Sequence, residues 1–344
     1  MTAADNPLRG FRITRDDLQF IGRDLQRPEC ILAEADGTLW SADARGGVMR
    51  ISADGHQDLI TQQADSHFSG TADLARRFTE GTLPNGLAFA RNGDILISNF
   101  GTDCLEVMDR EGRSRVLYDS IDGQPIGKVN FVLRDSRDRI WITVSTRIKN
   151  WMQAIRPGID DGFIALVDEK GIRIVADGLH FTNEIRFDAN EEYLYAVETC
   201  GRRISRFRVG EDGSLSERRI FGPADFGPAG FPDGCSFDAY GNLWVTLVMA
   251  EKLIALTPDG DVLTLFDDGN PDAIAALEAA YQAGEATPEL MMATRSSITP
   301  WIASVTFGGP DLRNAYIGTL FGTTIPWFRS PVAGLPMVHW SEKR

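Results

Sequence analysis

The stretch "FPDGCSFDAYGNLWVTL", Phe231 to Leu247, reads as a hairpin: an apolar strand from Cys235, a Tyr-Gly-Asn turn at 240–242 and a second strand through Trp244. Asp233 stands at the head of the first strand, where hairpin formation alone would accept almost any turn residue.

Laid over the rest of the chain, the stretch recurs. "RPECILAEADGTLWSAD" from Arg27, "LPNGLAFARNGDILISN" from Leu83, "GKVNFVLRDSRDRIWITV" from Gly127, "HFTNEIRFDANEEYLYAVE" from His180 and "PWIASVTFGGPDLRNAYIGT" from Pro300 each place turn chemistry between two apolar runs. A common register makes Glu29, Asn85, Asn130, Asn183, Asp233 and Ala303 equivalent. Four residues on stand Ala33, Phe89, Arg134, Phe187, Phe237 and Phe307. Eleven residues on stand Trp40, Leu96, Trp141 and Trp244, while longer turns shift the aromatic to Tyr195 and Tyr316 in the fourth and sixth units.

The anchors are separated by 56, 45, 53, 50 and 70 residues, a spacing that suits four-stranded units rather than helical repeats of about 34 residues. The hairpins are followed by further pairs of short strands, such as "GGVMRISADGHQDLI" and "KLIALTPDGDVLTLFDD". Six such units closing radially make an all-β fold, a six-bladed β-propeller that leaves no long sheet edge exposed, read as a single domain over 1–344. The outer strand of the sixth unit is expected from the N-terminal "FRITRDDLQFIGRDL", which would fasten the ring. Two insertions break the rhythm, at 145–162 and 269–296. The second carries Ala, Leu and Glu at helical spacing behind Asn270 and Pro271, and is read as a short surface helix: an ornament, a homodimer contact or a lid.

At 344 residues, 43% apolar and 24% charged, the chain can bury a large core. A formal charge of −14 argues against nucleic-acid and membrane partners. No basic n-region precedes an apolar run at the N-terminus and nothing approaches about 18 uninterrupted apolar residues, so a cytoplasmic location is expected. Cys30, Cys104, Cys200 and Cys235 lack metal or disulfide spacing and read as small buried hydrophobes.

In a propeller the innermost strands run in one direction, so the register positions converge on the axis. Two carboxylates and three amides facing one pocket are costly to desolvate without a partner, and a bound cation is the economical one. All are hard oxygen donors, favouring Ca²⁺, Mg²⁺ or Mn²⁺, although such a site also takes Zn²⁺ or Fe²⁺.

"PEC" at 28–30, "LPNGLAF" at 83–89, "FTNEIRF" at 181–187, "ETCGRRISRF" at 198–207, "FPDGCSFDAYGNLWVT" at 231–246 and "FGGPDLRNAYIGT" at 307–319 together resemble the SMP-30/gluconolactonase/regucalcin-like propellers. The resemblance implies one divalent metal, Ca²⁺ first, at the bottom of the central cavity. Its implied ligands are Glu29, Asn183 and Asp233, with Asn130 either ligating or contacting substrate. The sixth unit departs from the pattern by offering Ala303, and "VSTR" after the third unit's second strand leaves substrate choice open.

The activity implied is hydrolysis of a sugar lactone. Asp233 is expected as general base while still a ligand, with Glu29 anchoring the charge. Asn85 and Asn130 suit hydrogen bonds to hydroxyls or to a developing oxyanion, and Lys128 a cationic substrate contact. His180 and Trp301, just upstream of ring positions, are expected at the channel mouth, with Trp151 and Arg147 closing over substrate. The alternatives are a propeller hydrolase of phosphotriesters or aryl esters, and a metal- or protein-binding module without turnover.

Overall fold

In the computed structural model, residues 6–63 and 81–342 are described. The hairpin of the opening stretch forms between strands Pro232–Phe237 and Leu243–Leu247. One acidic side chain organises its turn: Asp238 Oδ1 accepts from the backbone N–H groups of Tyr240, Gly241 and Asn242 at 2.9–3.0 Å, and Oδ2 accepts from Trp244 Nε1 at 2.9 Å. Asp135 does the same for Trp141 at 2.9 Å, and Glu34 Oε2 accepts from Trp40 Nε1 at 2.6 Å. The acid-and-tryptophan spacing in the sequence is therefore a turn lock, in which a buried indole N–H finds its acceptor.

Six four-stranded antiparallel sheets result. Their innermost strands are Ile31–Ala33, Pro84–Phe89, Val129–Arg134, Thr182–Phe187, Pro232–Phe237 and Ile302–Gly308, numbered blades 1 to 6. Neighbouring inner strands pack in that order, and the sixth returns to the first. Blade 6 is completed by Gln19–Ile21, which pairs antiparallel with Ile325–Arg329 in the register Gln19 to Trp327. The closure expected of the N-terminal segment is present.

The seams explain the two aromatic positions of the repeat. Trp40 of blade 1 meets Phe89 of blade 2 edge to face at 6.3 Å, Trp141 meets Phe187 at 5.3 Å, Tyr195 meets Phe237 at 4.9 Å and Trp244 meets Phe307 at 5.0 Å. The aromatic eleven or so residues past one ring position thus packs on the phenylalanine four residues past the next, in the offset geometry aromatic pairs favour. A second seam contact is polar. Ser98 Oγ donates to the Asn130 carbonyl (2.6 Å), Ser145 to Thr182 (2.9 Å), Thr199 to Pro232 (2.7 Å) and Thr246 to Ala303 (2.8 Å), while Ser304 donates to Glu29. Blade after blade, a hydroxyl ties down the backbone at or beside its neighbour's ring position.

The far end of the axis is covered by the C-terminal segment. Leu335 N–H donates to the Phe237 carbonyl at 2.8 Å, and His339 Nε2 lies 2.9 Å from the Ala33 carbonyl. Arg134 pairs with Glu342 at 2.5 Å. Met337 and His339 share a small void with Leu32, Leu87, Arg186, Ser236 and Phe307 from the inner strands of five blades, so the tail lies across the axis itself.

The segment 145–162 leaves blade 3 between its second and third strands, as the rhythm predicts. The second insertion folds into helices α1 (Pro271–Ala283) and α2 (Pro288–Ala293), with Asn270 capping α1 by accepting from Asp272 and Ala273 N–H. Helix α1 is anchored, with Tyr281 edge to face on Phe231 at 4.8 Å and its hydroxyl donating to the Cys200 carbonyl at 3.0 Å.

Candidate active site

Each ring residue of blades 2 to 5 sits where the ladder between the first two strands shifts register: between Pro84 and Gly86, Val129 and Phe131, Thr182 and Ile185, and Pro232 and Cys235. A bulge re-aims a side chain out of the regular alternation, which is how Asn85, Asn130, Asn183 and Asp233 leave the pleat and face one another. The glycine after two of them is required by closeness: a Cβ on Gly234 would lie 2.3 Å from the Ala303 carbonyl oxygen and 2.6 Å from Ser304 Cα.

Glu29, Asn85, Asn130, Asn183 and Asp233 all line one cavity of about 490 Å³. Asn85 Nδ2 donates to Glu29 Oε1 at 3.0 Å and to Asn130 Oδ1 at 3.2 Å, and Asn183 Nδ2 donates to Asp233 Oδ1. Ala303 provides no donor, as its type dictates.

Arg27 enters this ring without having been expected. Its guanidinium pairs with Glu29 Oε2 at 2.5 Å and donates to Asn85 Oδ1 at 2.6 Å. Arg27 has left-handed backbone with φ of 57°, and so do Phe181 and Trp301. All three stand two residues before a ring position and all three line the cavity. Bulky residues avoid that region, and holding one there costs about 1–3 kcal/mol. The signal is available in the sequence: Lys128 stands two residues before Asn130, and the same offset before Glu29 selects Arg27.

Lys128 and His180, both expected on the substrate wall, are turned elsewhere. Lys128 is fully buried against Asp103, with Nζ 2.8 Å from its carboxylate and donating to the Phe100 carbonyl at 3.2 Å. A buried ammonium takes the nearest acid, and here that acid lies in the blade 2 turn. His180 Nδ1 lies 2.9 Å from the Ile159 carbonyl, and the ring borders a separate hollow with Arg202 and Tyr281. Arg147 lies over Phe163 at 4.3 Å, with its backbone N–H donating to Asp161, and does not line the cavity. Trp151 and Trp301 do line it.

The insertions form the roof. Trp151 sits edge to face on Phe100 at 5.9 Å, and Pro288, Met291 and Met292 of α2 face the cavity. Helix α2 therefore walls the cavity, deciding against an ornament. The return from α2 is held by Glu251, a fully buried carboxylate accepting from Ser296 N–H (2.8 Å), Trp301 N–H (2.6 Å) and Ile302 N–H (3.2 Å). Thr294 Oγ1 accepts from Trp301 Nε1 at 3.2 Å.

Electrostatically the floor is short of positive charge. Burial pushes the Asp233 carboxyl well above the usual carboxylate range, and the charges of Glu29 and Glu184 push it further, against Arg27 and the Asn183 amide. Burial also raises Glu29, against Arg27 and Asn85. Among the described residues, Glu29 Oε2 accepts no hydrogen bond in spite of its ion pair. Two buried carboxylates beside two amides make a hard-oxygen set that fits a divalent cation. Cys30 and Cys235 are buried with thiols pushed up by burial, and neither lines the cavity.

Residues 29–275 match the family described as the SMP-30/Gluconolactonase/LRE-like region, and the chain belongs to that family. Among its relatives are a 6-deoxy-6-sulfogluconolactonase from Pseudomonas putida, 27% identical over 168 residues (48% of this chain, 47% of the relative), and the protein STRICTOSIDINE SYNTHASE-LIKE 4 of Arabidopsis thaliana, 23% identical over 238 residues (67% and 59%). The chain thus matches about half the length of these curated relatives. A calcium-binding regucalcin from Agrobacterium tumefaciens superposes with a TM-score of 0.62 at 16% identity, covering 92% of this chain and 95% of that one, which shows the shared fold.

Proposed function

We propose that the protein is a metal-dependent hydrolase that opens a lactone. The observation that carries the reading is the convergence of Glu29, Asn130, Asn183 and Asp233 on one cavity floor whose buried carboxylates want a cation. Glu29 and Asp233 would hold the ion with Asn183, its amide turned to present oxygen, and Asn130. When bound, a divalent ion, Ca²⁺ first by its oxygen donors, supplies Lewis-acid polarisation of the carbonyl.

The chain's own groups do the rest. Asp233 presents a carboxylate on the cavity floor, suited to accept a proton from an attacking water. Asn85 and Asn130 offer amide donors to an oxygen gaining charge. Arg27 keeps Glu29 charged and in place. The apolar side chains of the roof lower the polarity above the floor, which strengthens each of these interactions.

A lactone is favoured over a phosphotriester by the family and by the relative named for a sugar lactone. The sugar-lactone expectation of the sequence rests on the resemblance to this family. The test is turnover of lactones, aryl esters and phosphotriesters by chelated protein resupplied with Ca²⁺, Mg²⁺, Mn²⁺, Zn²⁺ or Fe²⁺, beside Asp233→Asn. Metal-restored lactone hydrolysis, lost in the variant, is expected; a phosphotriester preference, or inertness throughout, would reject the reading.

A further inference from the structure

The floor and the roof of the cavity have opposite chemistry. Every ionisable or amide group discussed so far as touching the cavity, from Arg27 to Asp233, belongs to the floor. Among the described residues the roof is built from aromatic, thioether and aliphatic side chains, such as Trp151, Phe181, Met249, Met291, Met292 and Trp301. Asn150 is the one amide that the described roof loops add.

A polyhydroxylated lactone fits such a chamber poorly. Its reacting carbonyl would meet the floor, but most hydroxyls around the ring would lose water against rings and methyls, with few polar groups such as the Asn150 amide to replace it. An apolar substituent would lose nothing there and would bury its surface. The size agrees: about 490 Å³ lies within the range of sites for ligands much larger than one five- or six-membered ring, roughly 300–1,000 Å³. Methionines on α2 add a wall that adapts to irregular shapes.

We infer that the substrate is a lactone with a large apolar body, an alkyl- or aryl-substituted ring, and not a polyhydroxylated sugar lactone; the inference rests on the lactonase reading of the floor. Water oxygen bonds to the carbonyl carbon and the ring C–O bond breaks. One proton of the water goes to the departing ring oxygen and the other ionises from the new acid, leaving a hydroxy-carboxylate with an apolar tail. No oxidant or second substrate is consumed.

The experiment compares kcat/KM for δ-lactones with hydrogen, propyl, pentyl and phenyl substituents at the ring carbon beside the ring oxygen with that for glucono-δ-lactone, in metal-supplied protein. Binding of the corresponding unreactive lactams, alkylated and polyhydroxylated, is followed by tryptophan fluorescence. Expected are a rise of about threefold to fourfold in kcat/KM per added methylene until the chamber is full, and tighter binding of alkylated lactams. Met292→Ser should narrow the ratio between pentyl and unsubstituted lactones. Equal or better turnover of glucono-δ-lactone would overturn the inference while leaving the lactonase reading intact. Inertness of every lactone would reject the lactonase reading, and the lactams then decide the chamber's preference: tighter alkylated binding upholds it, and tighter hydroxylated or equal binding overturns it.

Discussion

The guanidinium of Arg27 pairs with the carboxylate of Glu29 at 2.5 Å, across two residues of chain, inside the ring of donors at the propeller axis. Both side chains are almost wholly buried, so the pair does the neutralising in the absence of other cations. Arg27→Met leaves Glu29 and Asp233 with no cationic side chain among the described residues that line the cavity. The metal-free variant should lose about 3 kcal/mol of stability, and saturating Ca²⁺ should raise its melting temperature more than that of the parent. Equal calcium shifts in both proteins would show that Arg27 and the ion do not share the task.

Glu251 makes stability depend on pH. Burial raises its carboxyl from 4.5 to about 7, with Asp268 adding and three backbone N–H groups opposing. Between those values the folded protein holds more protons than the unfolded chain, so this group's contribution favours folding below 4.5 and is lost as pH rises to about 7. Melting temperature followed over that window should fall less steeply in Glu251→Gln than in the parent. An unchanged slope would count against the assignment.

Gly234→Ala places a methyl group 2.3 Å from the Ala303 carbonyl oxygen, on backbone that cannot swing aside. The cost should reach about 3 kcal/mol, at the upper end of overpacking, and the displaced neighbour Asp233 should lower divalent affinity as well. Denaturant midpoints and calcium titration read the two effects separately. Parent-like values in both would show the seam to be looser than its packing implies.

Deleting residues 1–22 removes the Gln19–Ile21 strand and exposes the edge Ile325–Arg329. The shortened protein should unfold faster on heating and aggregate, with little effect on the ring donors, which lie on other strands. Half-life at elevated temperature and light scattering check this. A half-life equal to the parent's would mean that the ring is held shut without the N-terminal strand.

The propeller was legible because each turn lock spans a few consecutive residues: Asp238 with Trp244, Asp135 with Trp141. The ring was legible for the same reason, since bulges at equivalent strand heads put Asn85, Asn130, Asn183 and Asp233 in one register. Lys128 and His180 were misdirected because the groups that capture them, Asp103 and the Ile159 carbonyl, are more than twenty residues away along the chain. Helix α1 could be recognised from its Asn270 cap, but that α2 follows it and walls the cavity depends on the return loop that Glu251 holds. The C-terminal strap carries no repeat signature at all, and its seat on five blades exists only once they have assembled.

That strap gives the molecule a front and a back. With Met337 and His339 lodged in the rear of the torus, the cavity over the carboxylate floor lies on the opposite face, where α2 forms part of the doorframe. A long-tailed product would then hold up the next turnover by its grip on the doorframe, and softening α2 would quicken its exit even as it weakened capture.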